Sequence, residues 1–208
     1  MPFPNPAFLL APGAGASSAH PRMQDLARLL APFGAVQTMD YPYALNGKKR
    51  PDPLPRLVEA HRAALDALAA RHDGQIFLVG KSMGGRVGCH VALDAKVAGL
   101  VCFGYPLCGA GDPKKLRDGV LIATRTPVMF VQGTRDPLCP LDLLENVRRK
   151  MSAPSVLHVV DGGDHSLVVT KTALKARGWT QADSDERIGA AVRAFVDRNS
   201  PHREKPLA

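Results

Sequence analysis

Cysteine is scarce in this chain: four residues in 208, Cys89, Cys102, Cys108 and Cys139, with no Cys-x-x-Cys spacing among them. That is too sparse for a disulfide scaffold, so reduced thiols in a cytoplasmic protein are expected. Long apolar runs are missing as well. No stretch approaches the ~20 residues that span a bilayer, and no membrane partner is expected. The opening Met-Pro-Phe-Pro-Asn-Pro lacks the charged segment and long apolar stretch of a signal peptide. Aromatic residues make up only 5%, and none interleaves with the basic groups Lys48-Lys49-Arg50, Lys114-Lys115 with Arg117, and Arg148-Arg149-Lys150. A net charge of +8 invites a nucleic-acid reading, but a single-strand platform needs aromatic rings beside its cations. The basic groups are therefore read as solvated surface, and no nucleic-acid partner is expected. Internal repeats and dividing linkers are absent too, so a single domain over residues 1–199 is expected, with a disordered tail over 200–208.

What is present is an alternation of strand and helix patterns. Ala7 to Ala11 reads as a short buried strand, followed by the small-residue loop Pro12-Gly13-Ala14-Gly15-Ala16-Ser17-Ser18. Pro21 opens a helix with Met23, Leu26, Leu29, Leu30 and Phe33 on one side, and Gly34 stops it. Ala35 to Tyr41 reads as a second strand, and residues 46–51 as a polar loop. A long helix from Leu54 to His72 follows. Further strands are expected at Ile76–Val79, Val97–Phe103, Pro127–Gln132 and Val156–Val160. Helices are expected from Val87 to Leu93 and from Pro140 to Lys150. Between the fourth and fifth strands the only expected element is a short helix around Lys114 to Leu121. A loop to about Ala182 precedes the last helix, which the capping-box-like Asp183-Ser184-Asp185-Glu186 would start. The alternation predicts an α/β fold with a doubly wound, mostly parallel sheet of about six strands.

Reactive groups of such sheets gather beyond the carboxyl ends of the strands. The run Ile76-Phe77-Leu78-Val79 leads straight into Gly80-Lys81-Ser82-Met83-Gly84. A serine flanked by glycines two residues away, between strand and helix, is the pattern of a nucleophile elbow. The five letters also occur in ordinary loops; the strand before and helix after them give them meaning. The loop after the fifth strand carries Asp136 and the loop after the sixth carries His165. A serine hydroxyl is a poor nucleophile until a histidine takes its proton, and a carboxylate fixes that histidine's tautomer. Ser82, Asp136 and His165 are therefore the candidate catalytic residues, in the chain order of an α/β-hydrolase triad. Gly80-Lys81-Ser82 echoes a P-loop ending, but Gln75 stands where that motif needs a glycine.

The motifs Gly-Lys-Ser-Met-Gly-Gly-Arg, Gly-Thr-Arg-Asp-Pro-Leu and Gly-Gly-Asp-His-Ser-Leu together resemble the α/β-hydrolase superfamily in its dienelactone-hydrolase-like branch. Within it the chain is most similar to the small hydrolase-like domain shared by a testis-expressed protein and a subunit of the nonspecific-lethal complex. The resemblance covers about residues 7 to 198. It implies a minimal α/β-hydrolase fold without a separate lid domain, and an oxyanion hole from the backbone amides of Met83 and Ala14. Two residues depart from the pattern. Dienelactone hydrolases proper use cysteine where this chain has Ser82, and Pro12 stands where many hydrolases carry histidine.

His20 and Tyr105 are candidates for pocket lining, because loops at this sheet end often carry function. His61, His72, His90, His158 and His202 are read as structural or solvated, Asp164 as a turn residue, and Cys108 and Cys139 as buried free thiols. The function expected is hydrolysis of an ester or thioester of a small soluble acyl compound, without metal or organic cofactor. An acyltransferase or perhydrolase could use the same triad, and a non-catalytic interaction module could keep the same fold. Substrate identity, oligomeric state and the role of Lys81 do not follow from the sequence.

Overall fold

The structure, a computed structural model, describes residues 5–109 and 112–200. Its main sheet has six strands: β1 (Ala7–Ala11), β2 (Ala35–Thr38), β3 (Ile76–Lys81), β4 (Gly99–Phe103), β7 (Val128–Gly133) and β8 (Ser155–Val160). They run in the order β2-β1-β3-β4-β7-β8, and every pairing is parallel. Strands β5 (Cys108–Gly109) and β6 (Asp112–Leu116) form a separate antiparallel pair. The eight helices among the described residues are α1 (Pro21–Leu30), α2 (Pro42–Leu45), α3 (Leu54–Ala69), α4 (Met83–Val91), α5 (Gly119–Ala123), α6 (Leu141–Arg148), α7 (Lys171–Arg177) and α8 (Gln181–Asn199).

The central strands are buried along their whole length, and mostly apolar, because both faces are covered. Alternate residues supply two cores. Leu9, Leu78, Leu100 and Phe130 pack with Leu57 and Leu65 of α3, Val87 of α4 and Leu144 of α6. Phe8, Leu10, Phe77, Val79, Val101 and Met129 face the other way, against Met23 and Leu26 of α1 and Ile188, Val192 and Phe195 of α8. Burying each such side chain contributes about 1.5–3 kcal/mol, before the entropy of ordering it is subtracted.

From β1 the chain steps outward to β2, then returns to place β3 on the other side of β1. That reversal opens a crevice between the carboxyl ends of β1 and β3, the usual position of a ligand site in open α/β sheets.

Several expectations are corrected. Lys114 to Leu116 is strand, and the helix there starts only at Gly119; Asp112-Pro113-Lys114-Lys115-Leu116 forms an exposed hairpin arm that no apolar alternation announces. The expected loop before the last helix contains α7, capped by Thr170 and closed by Gly178 in the left-handed conformation. None of α7's residues is fully buried, and only Ala173 and Leu174 pack in part against the core, too short an apolar stripe to read. The final helix begins at Gln181, not Asp183: the Thr180 hydroxyl accepts the Asp183 amide while the Asp183 carboxylate accepts the Thr180 amide. The second strand ends at Thr38, short of Tyr41, and α3 ends at Ala69, short of His72. The tail expected from residue 200 lies, beyond Ser200, outside the described residues.

Candidate active site

Ser82 is the single residue between β3 and α4, with φ 51° and ψ −115°. This is a costly conformation for a residue with a side chain. It persists because the turn is pinned on both sides. The Ser82 amide donates to Phe103 O at 2.9 Å, and the start of α4 lies close against the ends of β1 and β3. A side-chain carbon on Gly80 would lie 2.1 Å from Gly85 N, and one on Gly84 would lie 2.4 Å from Ala11 O. Only glycine permits the helix to approach this closely.

His165 arrives from the loop after β8. Asp164 shapes that loop, its Oδ1 accepting the amides of Ser166 (2.7 Å) and Val168 (3.0 Å). The role expected of Asp164, a turn residue, is the one its contacts describe. His165 Nε2 stands 2.8 Å from Ser82 Oγ, and Nδ1 stands 2.7 Å from Asp136 Oδ2.

Asp136, almost fully buried, follows β7. Burial by itself would raise its carboxyl, yet the group is held below its ordinary value. The His165 hydrogen bond and charge outweigh burial, together with the Leu138 amide on Oδ1 and the Gln132 amide on Oδ2. An ionised carboxylate can only accept, so Nδ1 carries the imidazole proton. Nε2 is then left to accept the Ser82 hydroxyl. The three sequence candidates thus form one directed hydrogen-bonded chain.

Met83 opens α4, and its amide meets no protein acceptor among the described residues, as expected for the first position of a helix. The loop after β1 passes close to the nucleophile: a side-chain carbon on Gly13 would touch Ser82 Cβ at 3.5 Å. Ala14, next in that loop, is exposed, and its amide is likewise without a protein acceptor among the described residues. The two pocket candidates each have local partners of their own. His20 is exposed and caps α1, its Nδ1 accepting the Arg22 amide at 3.2 Å. Tyr105 is fully buried beneath the β5–β6 hairpin, its hydroxyl donating to Arg117 O at 2.9 Å and its ring edge-on to Phe130. His61 is buried too, against the Tyr41 hydroxyl, and burial lowers it to about 4. All four cysteines are buried free thiols.

Sequence reasoning missed Gln132, which lies inside β7 and ties the Tyr105 amide to Asp136 through its two amide ends. The available signal was a polar residue within an otherwise apolar buried strand. It also left Lys81 without a role. Lys81 is 8% exposed, and its Nζ converges with His165 on Gly104: a side-chain carbon there would lie 3.3 Å from Nζ and 3.5 Å from His165 Nδ1.

Desolvation pushes the Lys81 ammonium down to about 8, against the pull of Asp136 and Asp164 and with the help of Arg22. A base whose proton is held more weakly folded than unfolded withholds stability at low pH and returns it as pH rises from about 8 to 10.5. Lys81→Met is therefore expected to stabilise the fold at pH 7 by about 3 kcal/mol, with the advantage shrinking toward pH 10.5. Urea unfolding of both proteins at pH 7 and pH 10.5 measures this; an equal gap at the two pH values would refute it.

Among the described residues no group of three His, Cys, Asp or Glu side chains could hold a metal ion. No helix among them is long and apolar enough to cross a membrane. The six-stranded parallel sheet, with a serine at a strained strand-to-helix turn and Asp and His on later strand ends, defines an α/β hydrolase in architecture. The chain belongs to the alpha/beta hydrolase domain family, whose family model matches residues 4–197. Solved structures of the same fold include an α/β serine hydrolase homologue from Coxiella burnetii, 21% identical, with a TM-score of 0.68 over 94% of this chain and 84% of that one. An α/β serine hydrolase without lid from Xanthomonas campestris has a TM-score of 0.71 at 15% identity, over 96% of this chain and 84% of that one. Dienelactone hydrolase from Anabaena variabilis has a TM-score of 0.63 at 20% identity, over 89% of this chain and 86% of that one.

Proposed function

We propose that the chain is a serine hydrolase acting on an ester or thioester of a small soluble acyl compound. The observation that carries this reading is the directed chain Ser82 to His165 to Asp136, with Ser82 held in a strained backbone. Ser82 Oγ attacks the acyl carbon while His165 Nε2 takes its proton. The carbonyl oxygen, now negative, is met by the amides of Met83 and Ala14. Collapse of the tetrahedral species expels the alcohol or thiol, which receives the proton from Nε2 and leaves the acyl group on Ser82. A water then loses its proton to His165, attacks the acyl-enzyme, and the acid departs as Ser82 is reprotonated. Asp136 holds Nδ1–H throughout and stabilises the imidazolium each time it forms.

Substrate size follows from what covers the site. Lids in this superfamily are inserted between the strands that here are β4 and β7. That interval holds the β5–β6 hairpin and the short α5, with no separate lid domain among the described residues. Without a lid domain to close over it, a long acyl chain would gain little burial, so short soluble esters are the preferred substrates. The test is a p-nitrophenyl ester series from acetate to palmitate. The expected outcome is a maximum at short chains, with a burst of nitrophenol equal to the enzyme concentration. Preference for palmitate with activation at an oil–water interface would overturn the substrate class, and absence of any burst or turnover would overturn the reaction.

A further inference from the structure

The loop from Gly13 to Ser18 has little structure of its own. Its internal backbone bond is Ala16 N to Gly13 O at 3.3 Å, and Gly15 turns with φ +71°. Its shape is imposed from the segment after β2. Tyr43, on α2, accepts the Gly15 amide on its hydroxyl oxygen at 3.1 Å. Asp40 accepts both the amide and the hydroxyl of Ser18, each at 2.6 Å. The Tyr43 ring is itself immobilised. It is 1% exposed and stacks on Tyr41 at 6.3 Å and 12°, and the Tyr41 hydroxyl is bonded to His61 Nδ1 of α3 at 3.1 Å. A continuous column therefore runs from α3 through two tyrosines to Gly15.

Ala14 lies between two pinned points. On one side Gly13 backs onto Ser82 Cβ; on the other the Gly15 amide is fixed on Tyr43. We propose that Tyr43 is a positioning residue for the oxyanion hole, holding the Ala14 amide toward the carbonyl oxygen that becomes charged when Ser82 attacks. The inference rests on the hydrolase reading above and adds a residue that touches neither substrate nor triad. Tyr43 acts through geometry: a donor displaced by a fraction of an ångström loses much of its stabilisation of the transition state while ground-state binding is barely changed.

Tyr43→Phe keeps the ring and its stack and removes only the acceptor. With p-nitrophenyl acetate, kcat is expected to fall roughly tenfold at constant KM. Phosphonylation of Ser82 by a fluorophosphonate probe and affinity for phenylboronic acid, whose serine adduct is tetrahedral, should fall in the same proportion. Unchanged kcat, or a raised KM with kcat intact, would overturn the proposal. Hydrogen exchange of the Gly15 amide supplies a readout independent of chemistry: protected in the wild type, fast in Tyr43→Phe. Equal exchange in the two proteins also overturns the brace. Wild-type protein with a protected Gly15 amide but neither labelling nor turnover would instead refute the hydrolase reading. Should Tyr43→Phe fold poorly, Tyr41→Phe loosens the same column at its His61 end, and it must show the same kcat-selective loss in weaker form.

Discussion

Ser82→Ala is expected to abolish both fluorophosphonate labelling and ester turnover while leaving the fold intact. The change removes one hydroxyl, whose only side-chain partner among the described residues is His165 Nε2. The turn does not depend on that hydroxyl, since it is held by the Ser82 amide on Phe103 O and by the contact of Gly84 with Ala11. Alanine inherits an unfavourable backbone conformation already tolerated by serine, so stability should change little. Without a nucleophile the site retains only its polarising groups, so loss should be on the order of a thousandfold or more. Peptide mapping of the labelled wild type should find the phosphonyl group on Ser82. Adduct on a cysteine or another serine, or normal turnover by Ser82→Ala, would displace Ser82 from its assigned role.

Asp136→Asn should be almost as damaging, and Asp164→Asn should not. Both oxygens of Asp136 are surrounded by donors: Leu138 on one, and His165 with Gln132 on the other. An amide cannot satisfy that arrangement, because its NH2 must face a donor. Turned toward His165, it would donate to Nδ1 and leave the proton on Nε2, where Ser82 needs an acceptor. In serine proteases the corresponding change costs on the order of ten-thousand-fold in kcat, and a loss of that size is expected here. Asp164 offers the contrast. Its Oδ1 accepts two backbone amides, a task that asparagine's carbonyl oxygen performs equally well. Assaying both variants against one activated ester decides between the two acids. Comparable losses in both would mean that Asp136 has been assigned the wrong part.

Much of this architecture was legible from residue order. Continuous apolar runs at β1, β3, β4 and β7 announce strands covered on both faces, and periodic apolar positions announce α1, α3 and α8. The tight turn at Ser82 was legible for a similar reason: the close approach of α4 to the sheet demands glycine at positions 80 and 84 whatever the rest of the chain does. Elements with little buried surface left no such mark. Helix α7 and strand β6 are stabilised by a cap, by backbone pairing and by neighbours, none of which imposes a period on the residues.

By itself the sequence determined the α/β class, the strand ends that carry Ser82, Asp136 and His165, and the turn that presents the serine. Each depends on near neighbours in the chain, and local backbone sterics and side-chain periodicity write themselves into composition. Tertiary structure alone decided which polar groups act on that site. Gln132 reaches Asp136 because β7 and its following loop turn both side chains to one end of the sheet, while Tyr43 reaches Gly15 across 28 positions because β2 lies beside β1. Lys81 loses part of its hold on its proton because β4 and the loops after β7 and β8 close over it. Such effects depend on distance and desolvation in the folded chain, and the order of residues encodes those only through the whole fold.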